Sequence, residues 1–154
     1  MDVLNVGCGL KPIQKDGWRV VNHDRRKHHD YVDVTWDLNE IPWPWDDESF
    51  DRIFSIAVFE HLRINLFESV GECWRLLRPG GILRIKLPYW QSDTAWLDPS
   101  HYWKFSVRSL DQFDPDTRYG NDYSFYMDRK WKIIKPARLN KAGTSFTAVM
   151  QVRK

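Results

Sequence analysis

Cysteine is nearly absent from this chain of 154 residues, where only Cys8 and Cys73 occur. Two cysteines so far apart make neither a disulfide scaffold nor a cysteine zinc site, so a reducing, cytoplasmic compartment is expected. A long apolar run is also missing. The most apolar stretch, Ile53 to Phe59, is too short to span a bilayer and contains Ser55. No basic region leads into an apolar run at the N-terminus, so no signal peptide is expected. Internal repeats and low-complexity linkers are absent too, and the net charge is only +2. These absences leave one domain over residues 1–154, long enough for a single full core.

What is present is unevenly placed. Residues 1–100 carry 12 Lys and Arg against 16 Asp and Glu, whereas residues 101–154 carry 11 against 5. A basic second half would steer an anionic acceptor, nucleic acid among the candidates, or would simply be a solvated face. Nine Trp exceed what a core of this size needs, so aromatic surface near a site is expected.

The periodicity alternates between short strands and connectors. Val3 to Val6 reads as a buried strand that ends in the turn Gly7-Cys8-Gly9. Further strands are expected over Trp18–Asn22, Tyr31–Val34, Asp51–Ile56 and Ile82–Leu87. Leu66, Val70, Cys73, Trp74 and Leu77 share one helical face, which predicts a helix within 62–77 that Pro79-Gly80-Gly81 stops. Pro42 and Pro44 exclude regular helix from 41–45, and 115–128 shows no clear period. Lys130–Ala137 and Ser145–Val152 read as a closing antiparallel hairpin. The fold class is therefore α/β, a Rossmann-like, mostly parallel sheet with a C-terminal antiparallel hairpin. Such sheets bind ligands outside the carboxyl ends of their strands. Gly7 to Gly9, Asp24, Asp37 and the stretch Ala57 to His61 all fall at those ends.

With these residues in place, the sequence resembles the class I S-adenosylmethionine-dependent methyltransferases, in their small members with an N-x-G-C-G loop. The matching pieces are LNVGCG (4–9), VVNHD (20–24), DVTWDLNEIPWPWDDESFD (33–51), IFSIAVFEHL (53–62), LLRPGGILRIKLP (76–88) and DPSHYWKFS (98–106). The resemblance implies a seven-stranded sheet with a reversed last strand. The chain starts almost at its first strand, so the N-terminal helices of the family are expected to be missing, with a second copy of the chain as one way to replace that wall. Asn5 stands where many members have an acidic residue.

The resemblance implies roles as well. Gly7 and Gly9 would let the backbone approach the methionine part of the cofactor, with Cys8 packed between them. Asn5 would orient a water or the cofactor's amino group, or else fix the turn. Asp24 would accept the ribose hydroxyls, Asp37 the adenine amino group, and Leu38 and Ala57 would line the same site. Trp43 and Trp45 would close the adenine edge or cover the sheet, and His23 is expected to be solvated. His61 and His101 are the candidate bases, with Asp98 expected to pair with His101. Tyr89, Trp90, Trp96, Tyr102 and Trp103 would form an aromatic wall there. Arg25 to His29 reads as a charged solvent turn, or a phosphate contact. Asp46, Asp47 and Glu48 look like crowded metal ligands but read as solvated carboxylates, and no metal is expected. The implied reaction is methyl transfer from S-adenosylmethionine to an O or N acceptor. A non-catalytic cofactor-binding or partner subunit and a nucleic-acid module are its rivals. A nicotinamide dehydrogenase is disfavoured because GCGLKP lacks the third glycine of that fingerprint.

Overall fold

Val3, Leu4 and Val6 are fully buried in β1 (Asp2–Val6), the strand from which the rest of the sheet is laid out. The computed structural model describes all residues 1–154. After β1 come β2 (Arg19–Asp24), β3 (Val34–Thr35), β4 (Phe50–Ile56), β5 (Leu77–Pro88), β6 (Lys130–Leu139) and β7 (Ser145–Arg153). Across the sheet their order is β3-β2-β1-β4-β5-β7-β6. The first five strands run parallel, while β7 lies antiparallel between β5 and β6. The expected α/β sheet and its closing hairpin are both present. Strand order reverses at the β1–β4 boundary, which opens a crevice at their carboxyl ends.

The core lies on one face of this sheet. Along β7 the alternate residues Phe146, Ala148, Met150 and Val152 are buried, and Leu83, Ile85 and Leu87 continue the layer on β5. Val70, Cys73 and Leu76 of α1 (Leu66–Leu76) pack into the same core, as do Trp43, Phe59, Phe113 and Trp131. The opposite face is covered at β1 and β2, where Val3, Asn5 and Asn22 are buried. Further along it Arg52 on β4 and Arg84 on β5 reach solvent. Most parallel sheets carry helices on both faces. Here the connections before β2, β3 and β4 contain no helix. No helix is long and apolar enough to cross a membrane.

Local chemistry explains the boundaries. Asn65 accepts from the Glu68 amide while the Glu68 carboxylate accepts from the Asn65 amide, a reciprocal cap that starts α1. Gly71 in mid-helix leaves room for the Arg129 side chain, whose Nη1 would lie 2.5 Å from a Cβ there and would have to shift. The Pro79-Gly80-Gly81 segment does not end the helix as expected. Leu77 is already extended and begins β5, and the prolyl-glycyl segment bulges out between the pairs Phe50–Leu77 and Arg52–Ile82. Arg78, in that bulge, donates to Asp2 at 2.9 Å and to Asp51 at 2.8 Å, binding three strands at their shared edge. Within 115–128, where no period was legible, the structure has the short helix Arg118–Asp122, capped by Thr117.

Candidate functional site

The crevice at the carboxyl ends of β1 and β4 widens into a cleft of about 700 Å³. Its floor is Gly7, with φ +59°, and Ala57, with φ +57°. A Cβ on Gly7 would stand 2.6 Å from Val58 Cγ2, so only glycine leaves the backbone bare here. Ala57 holds a left-handed conformation that is unfavourable for any residue with a Cβ. Its amide donates to the Lys86 carbonyl at 3.0 Å, which fixes the turn between β4 and the next segment.

One end of the cleft is built from β2 and the segment after β3. Asp24 accepts from the Gly9 amide at 2.9 Å and from the Arg26 amide at 3.3 Å, one bond on each oxygen. A carboxylate has about four lone-pair sites, so two remain for a ligand. Asp37 accepts at Oδ1 from the Asn39 amide at 3.0 Å and from the Asn39 side chain at 2.8 Å. The Asn39 amide, above all, holds the Asp37 carboxyl below its usual range. Leu38, Trp36, Arg25 and Arg26 complete this end.

His23 is a correction. It was expected in solvent but is 1% exposed, beneath the cleft. The Gly7 amide donates to His23 Nδ1 at 3.3 Å, which leaves Nε2 to donate to the Trp36 carbonyl at 3.0 Å. Those partners assign a neutral ring, and burial lowers its pKa accordingly. His23 thereby joins the glycine turn to the strand beyond it.

Asn5, Cys8 and Gly9 do not line the cleft. Asn5 is buried and donates to Asn22 at 2.9 Å and to the Lys11 carbonyl at 3.2 Å, so it fixes the turn. Cys8 is packed, and burial pushes its thiol pKa up. Gly9 gives its amide to Asp24, and its carbonyl accepts from Tyr31 at 3.0 Å and faces His28 at 2.9 Å. The other expected cofactor residues, Gly7, Asp24, Asp37, Leu38 and Ala57, share the cleft wall.

The other end belongs to the single-turn helix Phe59–His61 and the loop after β5. The Tyr102 amide donates to the Glu60 carbonyl at 2.7 Å, and Trp103 Nε1 donates to the Leu62 carbonyl at 2.8 Å. These straps bring His61 and His101 together, ring centres 4.5 Å apart and nearly perpendicular. Asp98 serves His61 rather than His101, and acts through Ser100. The Ser100 hydroxyl donates to Asp98 at 2.6 Å, so at 2.9 Å it accepts from His61 Nδ1. The same hydroxyl, first among several influences, keeps the Asp98 pKa low. His101 Nδ1 instead faces the Ala95 carbonyl at 3.3 Å. Burial, then the neighbouring His101, lowers the His61 pKa, so its Nε2 lone pair stays free near neutral pH. Glu60 is 1% exposed, and burial pushes its pKa up to about 7.

The expected aromatic wall contributes only Tyr102 to the cleft. Trp90, Trp96 and Trp103 are partly exposed outside it, with Trp96 Nε1 donating to the Trp90 carbonyl at 2.8 Å. Trp43 is core and Trp45 packs on His23, so the cleft tryptophan is Trp36. Asp47 and Glu48 are drawn apart by Arg75 and Lys154. Ser100 and Arg63 were missed. Ser100 carries a legible signal, because Asp-x-Ser places a hydroxyl two residues after a carboxylate, the spacing of an Asx turn. Arg63 has none, because an arginine after a strand is ordinary surface.

Comparison with known proteins identifies the family and the fold. The family model described as a methyltransferase domain matches residues 4–85. A probable S-adenosylmethionine-dependent methyltransferase of Mycolicibacterium smegmatis is 34% identical over 100 residues, covering 56% of this chain. The chain spans only 38% of that relative's length. A methyltransferase structure from Archaeoglobus fulgidus matches 97% of this chain and 85% of its own, with TM-score 0.66 and 16% identity. The complex of the Haloferax volcanii activator Trm112 with a putative methyltransferase matches 99% of this chain and 83% of its own, with TM-score 0.66 and 13% identity. The cyclase SpnF matches 99% of this chain and 74% of its own, with TM-score 0.61 and 11% identity, so the fold alone does not fix a reaction. With a family match over more than half its length, on a seven-stranded sheet of the expected kind, the chain belongs to the class I S-adenosylmethionine-dependent methyltransferases.

Proposed function

We propose that this chain transfers a methyl group from S-adenosylmethionine to an O or N acceptor by direct in-line displacement. The observation that carries the reading is the shared wall of one cleft, where bare Gly7 lies beside Asp24 and Asp37. The donor set fits the cofactor: two carboxylates with lone pairs to spare for ribose and adenine donors, and a backbone floor that a Cβ would close. When bound, the cofactor supplies an electrophilic methyl on a sulfonium. Asp24 would hold the ribose, Asp37 and Leu38 the adenine, and Gly7 and Ala57 the methionine part. His61 lines the far end, where the acceptor would approach, and His101 does not line the cleft but packs against His61. The enzyme's contribution is mainly orientation, with the histidine pair managing the acceptor's proton if it carries one.

The basic second half supports the nucleic-acid reading less well, because Lys132 and Arg153 are both paired with Asp116. The Trm112 complex of a like fold supports an activating partner for this chain by analogy only. A competition titration tests the main reading. The protein should bind S-adenosylhomocysteine in preference to NAD, and equal or tighter NAD binding would refute it.

A further inference from the structure

Glu60 is the least explained side chain in the molecule. It is buried, makes no ion pair, and its Oε2 has no hydrogen-bond partner. Burying a carboxylate without a partner is costly, and such groups are normally paired or coordinate metals. Two imidazoles stand beside it. Glu60, His61 and His101 each bring a ligand atom to within 4.8 Å of the others. The two rings are oriented from behind, since Nδ1 of His61 faces Ser100 Oγ and Nδ1 of His101 faces the Ala95 carbonyl. That leaves Nε2 on each ring without a protein partner. Histidines that bind metals are held in this way, with the second nitrogen donating to a carbonyl or to a carboxylate-linked group.

We infer that Glu60, His61 and His101 form a binding site for a first-row divalent cation beside the acceptor end of the cleft, which His61 lines. Two imidazole nitrogens and one carboxylate oxygen suit zinc, manganese, iron or cobalt, and three protein ligands leave coordination positions open. Metal–ligand bonds of about 2.0–2.2 Å need donors closer together than 4.8 Å, so small side-chain rotations complete the site. The loop straps at Tyr102 and Trp103 hold the backbone while that happens. The expectation of no metal followed from the family resemblance and from the solvated carboxylates Asp46, Asp47 and Glu48; this cluster is a different one, and Asp47 and Glu48 are drawn apart by Arg75 and Lys154.

A consequence for the acceptor rests on the methyl-transfer reading; the cation site itself does not. With a cation bound, both imidazole lone pairs act as ligands rather than as bases. An acceptor hydroxyl reaching an open position would be made more acidic by the cation, and its proton would leave to solvent water. This favours an oxygen acceptor over a nitrogen one.

The test is calorimetric titration of the full chain, dialysed free of metal, with zinc and manganese chlorides. The absorption bands of bound cobalt report the ligand set. Wild type should take up one equivalent, with affinity falling at least about tenfold in Glu60→Gln and in His101→Ala. His29→Ala, on the exposed turn, should bind as wild type does. His101 lies in a loop, so its variant decides the matter if Glu60→Gln fails to fold. No binding, binding unchanged in folded Glu60→Gln and His101→Ala, or binding lost in His29→Ala would each overturn the site. S-adenosylhomocysteine is titrated into the same samples. Cation binding on these residues without nucleoside binding would uphold the site and overturn the methyl-transfer reading instead.

Discussion

The two ends of the cleft are built on opposite principles. At the β2 end the carboxylates of Asp24 and Asp37 are already engaged by backbone amides, and buried His23 braces the turn beneath them. At the far end Glu60 is buried with Oε2 unpartnered, and the two imidazoles have Nδ1 engaged and no protein partner on Nε2. The first end is held in shape before anything binds. The second has its polar groups gathered but unsatisfied, so its energetics depend on what arrives. A fixed ligand suits the first and a reacting one the second.

The sharpest way to break this contrast is at the reactive end. His61→Ala or His101→Ala should lose at least about 10² in turnover while S-adenosylhomocysteine affinity and melting temperature stay near wild type. Single-turnover rates with a competent acceptor decide it. Wild-type rates in both variants across pH 6–9 would leave catalysis to positioning alone.

At the preformed end the expected loss is in binding. Asp24→Ala removes a carboxylate able to make two charge-assisted bonds, each worth about 1.5–3 kcal/mol at most. S-adenosylhomocysteine affinity should fall at least about tenfold, with turnover of bound substrate much less affected. Circular dichroism should show the fold intact. Unchanged affinity by calorimetry would remove Asp24 from the proposed ribose contact.

Gly7→Ala tests whether the floor is built for close approach. The positive φ and the contact with Val58 should together lower unfolding free energy by about 1–3 kcal/mol in urea titration. A variant as stable as wild type would show that the turn relaxes freely.

The smallest effect concerns pH at His28, which faces the Gly9 carbonyl at 2.9 Å and the Arg26 carbonyl at 2.8 Å. Only a doubly protonated ring donates to both, and Asp24 lies 3.9 Å away. The Gly9 carbonyl foremost, then that of Arg26, raises its pKa above 6.5 in the folded state, against the opposing Arg26 charge. His29 and Tyr31 pack against the ring as well. A raised folded pKa stabilises fully below the unfolded value and is lost as pH rises through the folded value. The melting-temperature advantage of wild type over His28→Ala should therefore shrink between pH 6 and pH 8. An advantage that is flat or grows with pH would contradict the imidazolium assignment.

This contrast was only half legible in the sequence. Strand ends announce themselves through apolar runs closed by Gly or Asp, which is why Gly7, Asp24, Asp37 and Ala57 could be placed on one wall. The roles of Asn5 and His23 were harder to read, because a polar residue beside a buried strand looks the same whether it faces ligand or protein. Side-chain direction is settled by cross-strand partners, here Asn22 for Asn5 and the Trp36 carbonyl for His23. Asp98 was assigned to the wrong histidine for a similar reason. Sequence proximity favoured His101, but the Asx turn at Ser100 aims the carboxylate's influence at His61. Glu60 passed without notice beside His61, because burial of a charged residue leaves no trace in local periodicity.

The bare face of the sheet has a consequence of another kind. Only 40 of the 154 residues are buried, and the strands past β1 show solvent a row that includes Arg52 and Arg84. A sheet wrapped on both sides exposes much apolar surface when it melts, and that surface sets the heat capacity of unfolding and the steepness of the denaturant response. Wrapped mainly on one side, this protein releases less. Its heat-capacity increment should fall below the usual range of about 12–15 cal/mol/K per residue. Its stability should therefore vary gently with temperature, a broad low dome rather than a sharp one.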